Sequence, residues 1–165
     1  MNTDRQQGSR VSAPAWERYE AGHGFAIERP GEWIVLEDIL GTQVAFCEPE
    51  HTDPLAFRAN LNVVVRDLPD GFDPPVIFQA QVDDLARALT DPVLIDVEAV
   101  AIAGQPGQRV LVAHRDAIYA LTLEQWCVIA GGRSYLLSCT TSTGSYANDL
   151  PIFEFMVESL RLDVS

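Results

Sequence analysis

Cys47 and His51 stand four residues apart, a spacing at which an imidazole could draw a proton from a thiol and make a nucleophile of it. The surroundings oppose that chemistry. Cys47 closes the apolar stretch Thr42-Gln43-Val44-Ala45-Phe46-Cys47 and is followed by Glu48 and Glu50. Burial and nearby negative charge both raise a thiol pKa, so a resting thiolate is not expected. Glu48, Glu50, His51 and Asp53 also gather four possible metal ligands in one short loop. A calcium loop needs oxygen ligands alternating around a glycine and closed by a bidentate acid; this loop has Pro49 and Pro54, no glycine and no closing acid. Asp67, Asp70 and Asp73, in Arg66-Asp67-Leu68-Pro69-Asp70-Gly71-Phe72-Asp73, meet the same objection. Both acidic loops therefore read first as solvated surface, and no metal site is expected.

Other constellations fail on their missing members. His114-Arg115-Asp116 matches the start of a protein-kinase catalytic loop, but Leu121 stands where the metal-binding asparagine belongs and the chain has no lysine. Ser134 follows Gly131-Gly132-Arg133 without forming the Gly-x-Ser-x-Gly elbow of a hydrolase. His23, His51 and His114 lie far apart. No dinucleotide fingerprint or phosphate loop occurs. The expectation is a protein with no catalytic residue and no cofactor.

Composition narrows the partners. The chain has 165 residues, 24 acidic against 11 basic, a formal charge of −13 and 47% hydrophobic residues. That length suits a single domain with its own core. The basic residues are all arginine and are scattered, which argues against nucleic acid and anionic membranes. An acidic surface favours a basic partner. Cys47, Cys127 and Cys139 fall in strand-like segments and read as reduced, buried small hydrophobes. No stretch approaches the roughly 20 apolar residues of a membrane span, and the polar start lacks the apolar run of a secretory leader; cytoplasmic residence is the default expectation.

Residues 1–15 read as a flexible tail and 16–165 as one domain. Phe25 to Arg29 is strand-like and stops at Pro30-Gly31; Trp33 to Leu36, Thr42 to Cys47 and Ala59 to Val65 are further strands, the last with Asn60 and Asn62 on alternate positions. Phe72-Asp73-Pro74-Pro75 signals a helix start, with Asp73 as cap and Pro74 in first position. Phe78, Val82, Leu85 and Leu89 then share one helical face, Asp83, Asp84 and Arg87 face water, and Asp91-Pro92 ends the helix. Strands follow at Val93–Ile102, Gln108–His114, Ala117–Ile129 and Ser134–Thr141, with turns at Gly104-Gln105-Pro106-Gly107 and Gly131-Gly132. A last helix begins near Asp149, with Pro151 in its first turn and Leu150, Phe153, Val157 and Leu160 inward. The class is α+β, a mainly antiparallel sheet sandwiched between helices.

Several of these stretches resemble the PsbP-like (Mog/PsbP) fold family, in particular its bacterial branch of small LpqN-type proteins. They are Gly24 to Trp33, Ala59 to Val65, Gly104 to Arg109, the hairpin Gln125 to Ser138, and Glu158-Ser159-Leu160-Arg161. The resemblance implies an α/β/α arrangement and a non-catalytic, protein-binding role in a bacterial cell. The family includes a Ran-binding import factor, an extrinsic photosystem subunit, surface lipoproteins and chaperones of secreted effectors. The lipid-modified cysteine of the lipoprotein branch has no counterpart near the start, since the first cysteine is Cys47, so no lipid anchor is expected.

Three functions are carried forward. The first is an adaptor or secretion-chaperone-like module whose protein partner is basic or offers an exposed apolar segment. Its candidate contacts are Glu48, Glu50, Asp53, Asp67, Asp70 and Trp126, tryptophan being frequent at binding hot spots. The second is a carrier of a small apolar ligand in a sheet–helix cavity lined by Phe78, Val82, Trp126 and Phe153. The third is an enzyme whose active groups only the fold brings together.

Overall fold

The computed structural model describes residues 13–22 and 24–163. Most of the expected 1–15 tail, and His23, lie outside the described residues; Ala15 accepts a backbone bond from Gly31 at 2.7 Å. The elements run β1 (Trp16–Ala21), β2 (Phe25–Pro30), β3 (Ile34–Ile39), β4 (Thr42–Cys47), β5 (Asn60–Asp67), α1 (Pro74–Ala88), β6 (Thr90–Ile102), β7 (Gln105–Asp116), β8 (Tyr119–Ala130), β9 (Arg133–Ser142), α2 (Tyr146–Glu158) and β10 (Arg161–Leu162). A seven-stranded sheet has the order β3-β4-β5-β9-β8-β7-β6, and its neighbours pair antiparallel. A second, three-stranded sheet is ordered β1-β2-β10. The fold is α+β, as expected.

Turn chemistry sets the hairpins. Gly131 and Gly132 sit at φ +55° and +72° between β8 and β9, the left-handed pair a tight two-residue turn requires. Between β6 and β7 the turn is Ala103-Gly104, at φ +50° and +74°, and is shorter than the expected Gly104–Gly107. Gly107 already lies in β7 and is there for space: a Cβ would come 2.6 Å from the Cys127 carbonyl oxygen and 2.8 Å from Ile102 Cδ1.

The helices differ from expectation at their ends. Pro74 opens α1, but Asp73 caps it only through its backbone, its carbonyl accepting from the Val76 and Ile77 amides. The helix stops at Ala88, and β6 has begun before Pro92, with Asp91 at φ +48°. Helix α2 starts at Tyr146, three residues before Asp149, so Pro151 lies inside it. Ser145 ends the preceding turn, and its carbonyl accepts from the Asn148 and Asp149 amides. Asp149 turns its carboxylate to the Thr141 hydroxyl.

The main core fills the space between one face of the large sheet and a lid made of α2 and the small sheet. Phe25, Ile27, Phe46, Leu61, Leu137, Phe153, Met156 and Leu160 are buried there. Trp33 stands edge-on to Phe153 with centroids 6.2 Å apart. The Ser159 hydroxyl accepts from the Glu28 amide at 2.8 Å and donates to the Met156 carbonyl, fixing the end of α2 to β2.

The opposite face is covered only in part. Helix α1 packs Leu85, with Val82 and Leu89, on Val110, Val112 and Leu123. Its seat is completed by amides: Gln81 is buried and donates to the Gln125 carbonyl at 3.3 Å, while Gln108 Nε2 donates to the Phe78 carbonyl at 2.9 Å and to Gln81 Oε1 at 3.0 Å. Beyond α1, the register places Ala45, Cys47, Asn60, Asn62, Ser138 and Thr140 on this same face, all half-buried. The polar start of β5 that the sequence indicated is part of this face.

Candidate functional site

One cross-strand row organises the chemistry. On the α2 side of the sheet, Glu98 of β6 pairs with Arg109 of β7, and Arg109 pairs with Trp126 of β8. Strand periodicity then sets Asp96 one step along from Glu98 on the same face. The Arg109 guanidinium lies 5.6 Å from the centre of the Trp126 ring, a cation–π contact. Its Nε donates to the Glu124 carboxylate, and its Nη1 reaches Asp96 at 3.2 Å and Glu98 at 3.7 Å.

Glu124 is 1% exposed. Burial pushes its carboxyl pKa above the ordinary value, and this outweighs the opposing pull of Arg109. Tyr146, at the start of α2, stands beside the same pair; burial and the Glu124 charge raise its pKa against Arg109. Two polar atoms here have no hydrogen-bond partner, Glu124 Oε2 and the indole Nε1 of Trp126.

Between β6 and α2 this row opens into a groove of about 490 Å³, lined by Glu98 to Ala103 on one side, Glu154, Val157 and Glu158 on the other, and Trp126. The α2 residues are three and four apart, so they share one helical face. Asp96, Glu98, Glu154 and Glu158 are all exposed; the guanidinium among them, Arg109, is shared by Glu124, Asp96 and Glu98, and among the described residues Glu154 and Glu158 have no ion-pair partner. The arrangement is an apolar, aromatic floor ringed by carboxylates. Its chemistry is that of holding a cation, with an unpaired indole N–H near by.

The candidate residues from the sequence are not brought together. Trp126 lies in the groove. Glu48 is occupied in its own loop, its Oε2 accepting from the Ala59 amide at 3.0 Å and from His51 at 2.9 Å. Glu50 is exposed, and Asp53 accepts from the Leu55 amide at 2.9 Å. Asp67, at the far end of β5, pairs with Arg133 at 2.9 Å, and Asp70 is exposed beyond it. The two acidic loops thus sit at opposite ends of β5. The apolar cavity expected from Phe78, Val82, Trp126 and Phe153 does not form, because Val82 packs with α1 on one face while Trp126 and Phe153 belong to the other. Glu98, Glu154 and Glu158, which ring the groove, carry no local signal; only the packing of β6 beside α2 unites them.

The imidazole of the nucleophile pair is engaged by a carboxylate. His51 gives its Nε2 to Glu48, and burial raises the Cys47 thiol pKa, with Glu48 adding to the rise and Arg58 opposing it. Burial pushes Cys127 up to about 12 and Cys139 well above the ordinary range. All three cysteines are free, and Cys47 is half-buried where full burial was expected. Among the described residues no group of three His, Cys, Asp or Glu could hold a metal ion, and no helix is long and apolar enough to cross a membrane.

No protein-family model matches the chain, and no curated protein matches it in sequence. Solved structures do match. The PsbP protein of Synechocystis sp. PCC 6803 superposes with a TM-score of 0.69 at 16% identity, over 94% of this chain and 96% of that one. LpqN of Mycobacterium tuberculosis, involved in cell envelope biogenesis, gives 0.72 at 12% identity over 90% and 91%. The chain has the PsbP/Mog1-like fold. The Ran-binding protein Mog1p of Saccharomyces cerevisiae shares it, with a TM-score of 0.63 at 16% identity over 92% of this chain and 97% of its own. In the PsbP/Mog1-like frame of this chain, the groove is the space between the last sheet strand in spatial order, β6, and α2.

Proposed function

We propose that the protein is a non-catalytic module that binds another protein, and that the groove between β6 and α2 is its binding surface. The observation that carries this reading is the ring of exposed Glu98, Glu154 and Glu158 around Trp126. Aromatic anchors with a charged rim are the usual anatomy of a recognition site, and the charge calls for a partner that presents Arg or Lys. One fold neighbour is consistent with it, being named as a Ran-binding protein. Of the two roles raised by the sequence, a bacterial adaptor fits better than a chaperone of long apolar segments, because the groove is walled by carboxylates. The same walls disfavour an apolar small-molecule ligand.

The test is affinity enrichment from the native cell with two baits, the wild-type protein and the Glu98→Lys/Glu154→Lys/Glu158→Lys variant. The expected result is a partner retained by the first at low salt, released as salt rises, and absent from the second although the variant melts normally. A partner held equally by both baits would move the binding surface elsewhere.

A further inference from the structure

Among the described residues, the side of β6 away from β7 pairs with nothing. A bare edge is a template for another strand, and natural sequences blunt such edges with proline, bulges and charge. In β6 the backbone devices are confined to its first half. Pro92, the left-handed Asp91, and register breaks between Thr90 and Val93 and between Leu94 and Asp96 all fall there. From Asp96 opposite Leu111 to Ile102 opposite Gln105 the register runs unbroken. This regular half is also the half that walls the groove, through Glu98 to Ala103. Seven residues of strand span about 23 Å at about 3.3 Å each.

We infer that the β6 edge from Asp96 to Ile102 takes up an extended segment of the partner as an added strand, with Arg or Lys alternating with small apolar side chains. The inference rests on the groove being the binding surface and adds how it is filled. Glu98 and Val100 face α2, so side chains of an added strand on that face enter the groove between Glu98 and the Glu154–Glu158 pair. That position selects a cation. On the other face the added strand flanks Val97, Ala99 and Ala101, all exposed, Val97 at 43%, and a small apolar side chain covers them. Main-chain bonds supply affinity in this mode and alternate side chains supply selectivity. A second copy of the chain is the wrong occupant. Two β6 edges paired antiparallel over this stretch would set Asp96 against Ile102 and Glu98 against Val100 of the other copy, so a second copy brings two further acids and no cation to the groove.

The probe is an acetylated, amidated octapeptide of alternating Arg and Val, added to the full-length protein. Its controls are the same composition in two blocks and the alternating peptide N-methylated at every residue, which keeps the charge and removes the pairing donors. The alternating peptide is expected to slow amide hydrogen exchange within Asp96–Ile102 by about tenfold, and N-methylation or the block order to weaken binding by about tenfold or more. The single variant Glu98→Gln, chosen to leave the fold intact, is expected to weaken it several-fold. Methylated and unmethylated peptides binding within about twofold would overturn the added strand while leaving the cationic groove standing. No slowing in β6 at about 1 mM peptide would also overturn it. Slowing that grows with protein concentration and needs no peptide would place a second copy on the edge, against the inference.

Discussion

Removing Arg109 tests how the groove is held together. In Arg109→Ala the Glu124 carboxylate, 1% exposed, keeps its burial and loses its cation. Breaking a buried pair by deleting one partner costs about 3–5 kcal/mol; Arg109 itself retains 17% exposure, so about 3 kcal/mol is the expectation. The exposed Asp96 and Glu98 contacts add little, and the contact over Trp126 adds about 0.5 kcal/mol. For a chain this long, about 3 kcal/mol lowers Tm by roughly 9 °C. The pH dependence has a definite sign. Burial has already raised the folded pKa of Glu124, so its contribution is full below the unfolded value of about 4.3 and is lost as pH climbs through the higher folded value. Without Arg109 that folded value rises further, so the deficit is largest near pH 8 and shrinks toward pH 5. Thermal melts monitored by circular dichroism at several pH values read both quantities. Glu124→Gln in the same background should recover most of the loss, and alone should cost under about 1 kcal/mol, because Arg109 keeps Asp96 and Glu98. A deficit equal at pH 5 and pH 8, or a Tm within about 1 °C of wild type, would refute the reasoning.

Three further outcomes follow from local geometry. Gly107→Ala should lose about 2–3 kcal/mol in urea unfolding, because the neighbour that must yield is the Cys127 backbone carbonyl. Gln108→Ala removes both bonds from Nε2 to α1 and should cost about 1–2 kcal/mol, with proteolytic nicking of α1 rising before the rest of the chain melts. In Ellman's titration of the native protein near neutral pH, Cys127 and Cys139 should stay silent and Cys47 react slowly, since burial raises all three thiols; full reaction of all three is expected only in denaturant.

What the sequence made legible is what local chemistry decides. Gly131-Gly132, Pro30-Gly31 and Asp73-Pro74 mark turns and a helix start by local constraints, and the expected strands and helices are present with their ends shifted by up to about three residues. β1 carries three charged residues in six, and β10 is two residues long; each is a strand because β2 lies beside it, which no local pattern announces. The start of α2 is obscured by Pro151, which marks a first turn in most helices but here sits further in. Gln81 breaks the apolar face of α1, yet it is buried because Gln108 and the Gln125 carbonyl meet it. The site follows the same rule. Trp126 is readable by type, whereas Glu98, Glu154 and Glu158 are ordinary solvent-facing acids on two elements distant in the chain, and their common purpose exists only after those elements dock.

The half-bare face beyond α1 has its own evolutionary consequence. Asn60, Asn62, Ser138 and Thr140 keep that part of the sheet polar, and their side-chain bonds are local: Asn60 donates to the Arg58 carbonyl, Asn62 to Asn60 Oδ1, and Ser138 accepts from Gln125 on the next strand. Exchanging them for valine or isoleucine would give up those bonds and make the molecule sticky. These positions therefore also serve dispersal in a crowded solution, and a descendant that turned them apolar would acquire a second adhesive side.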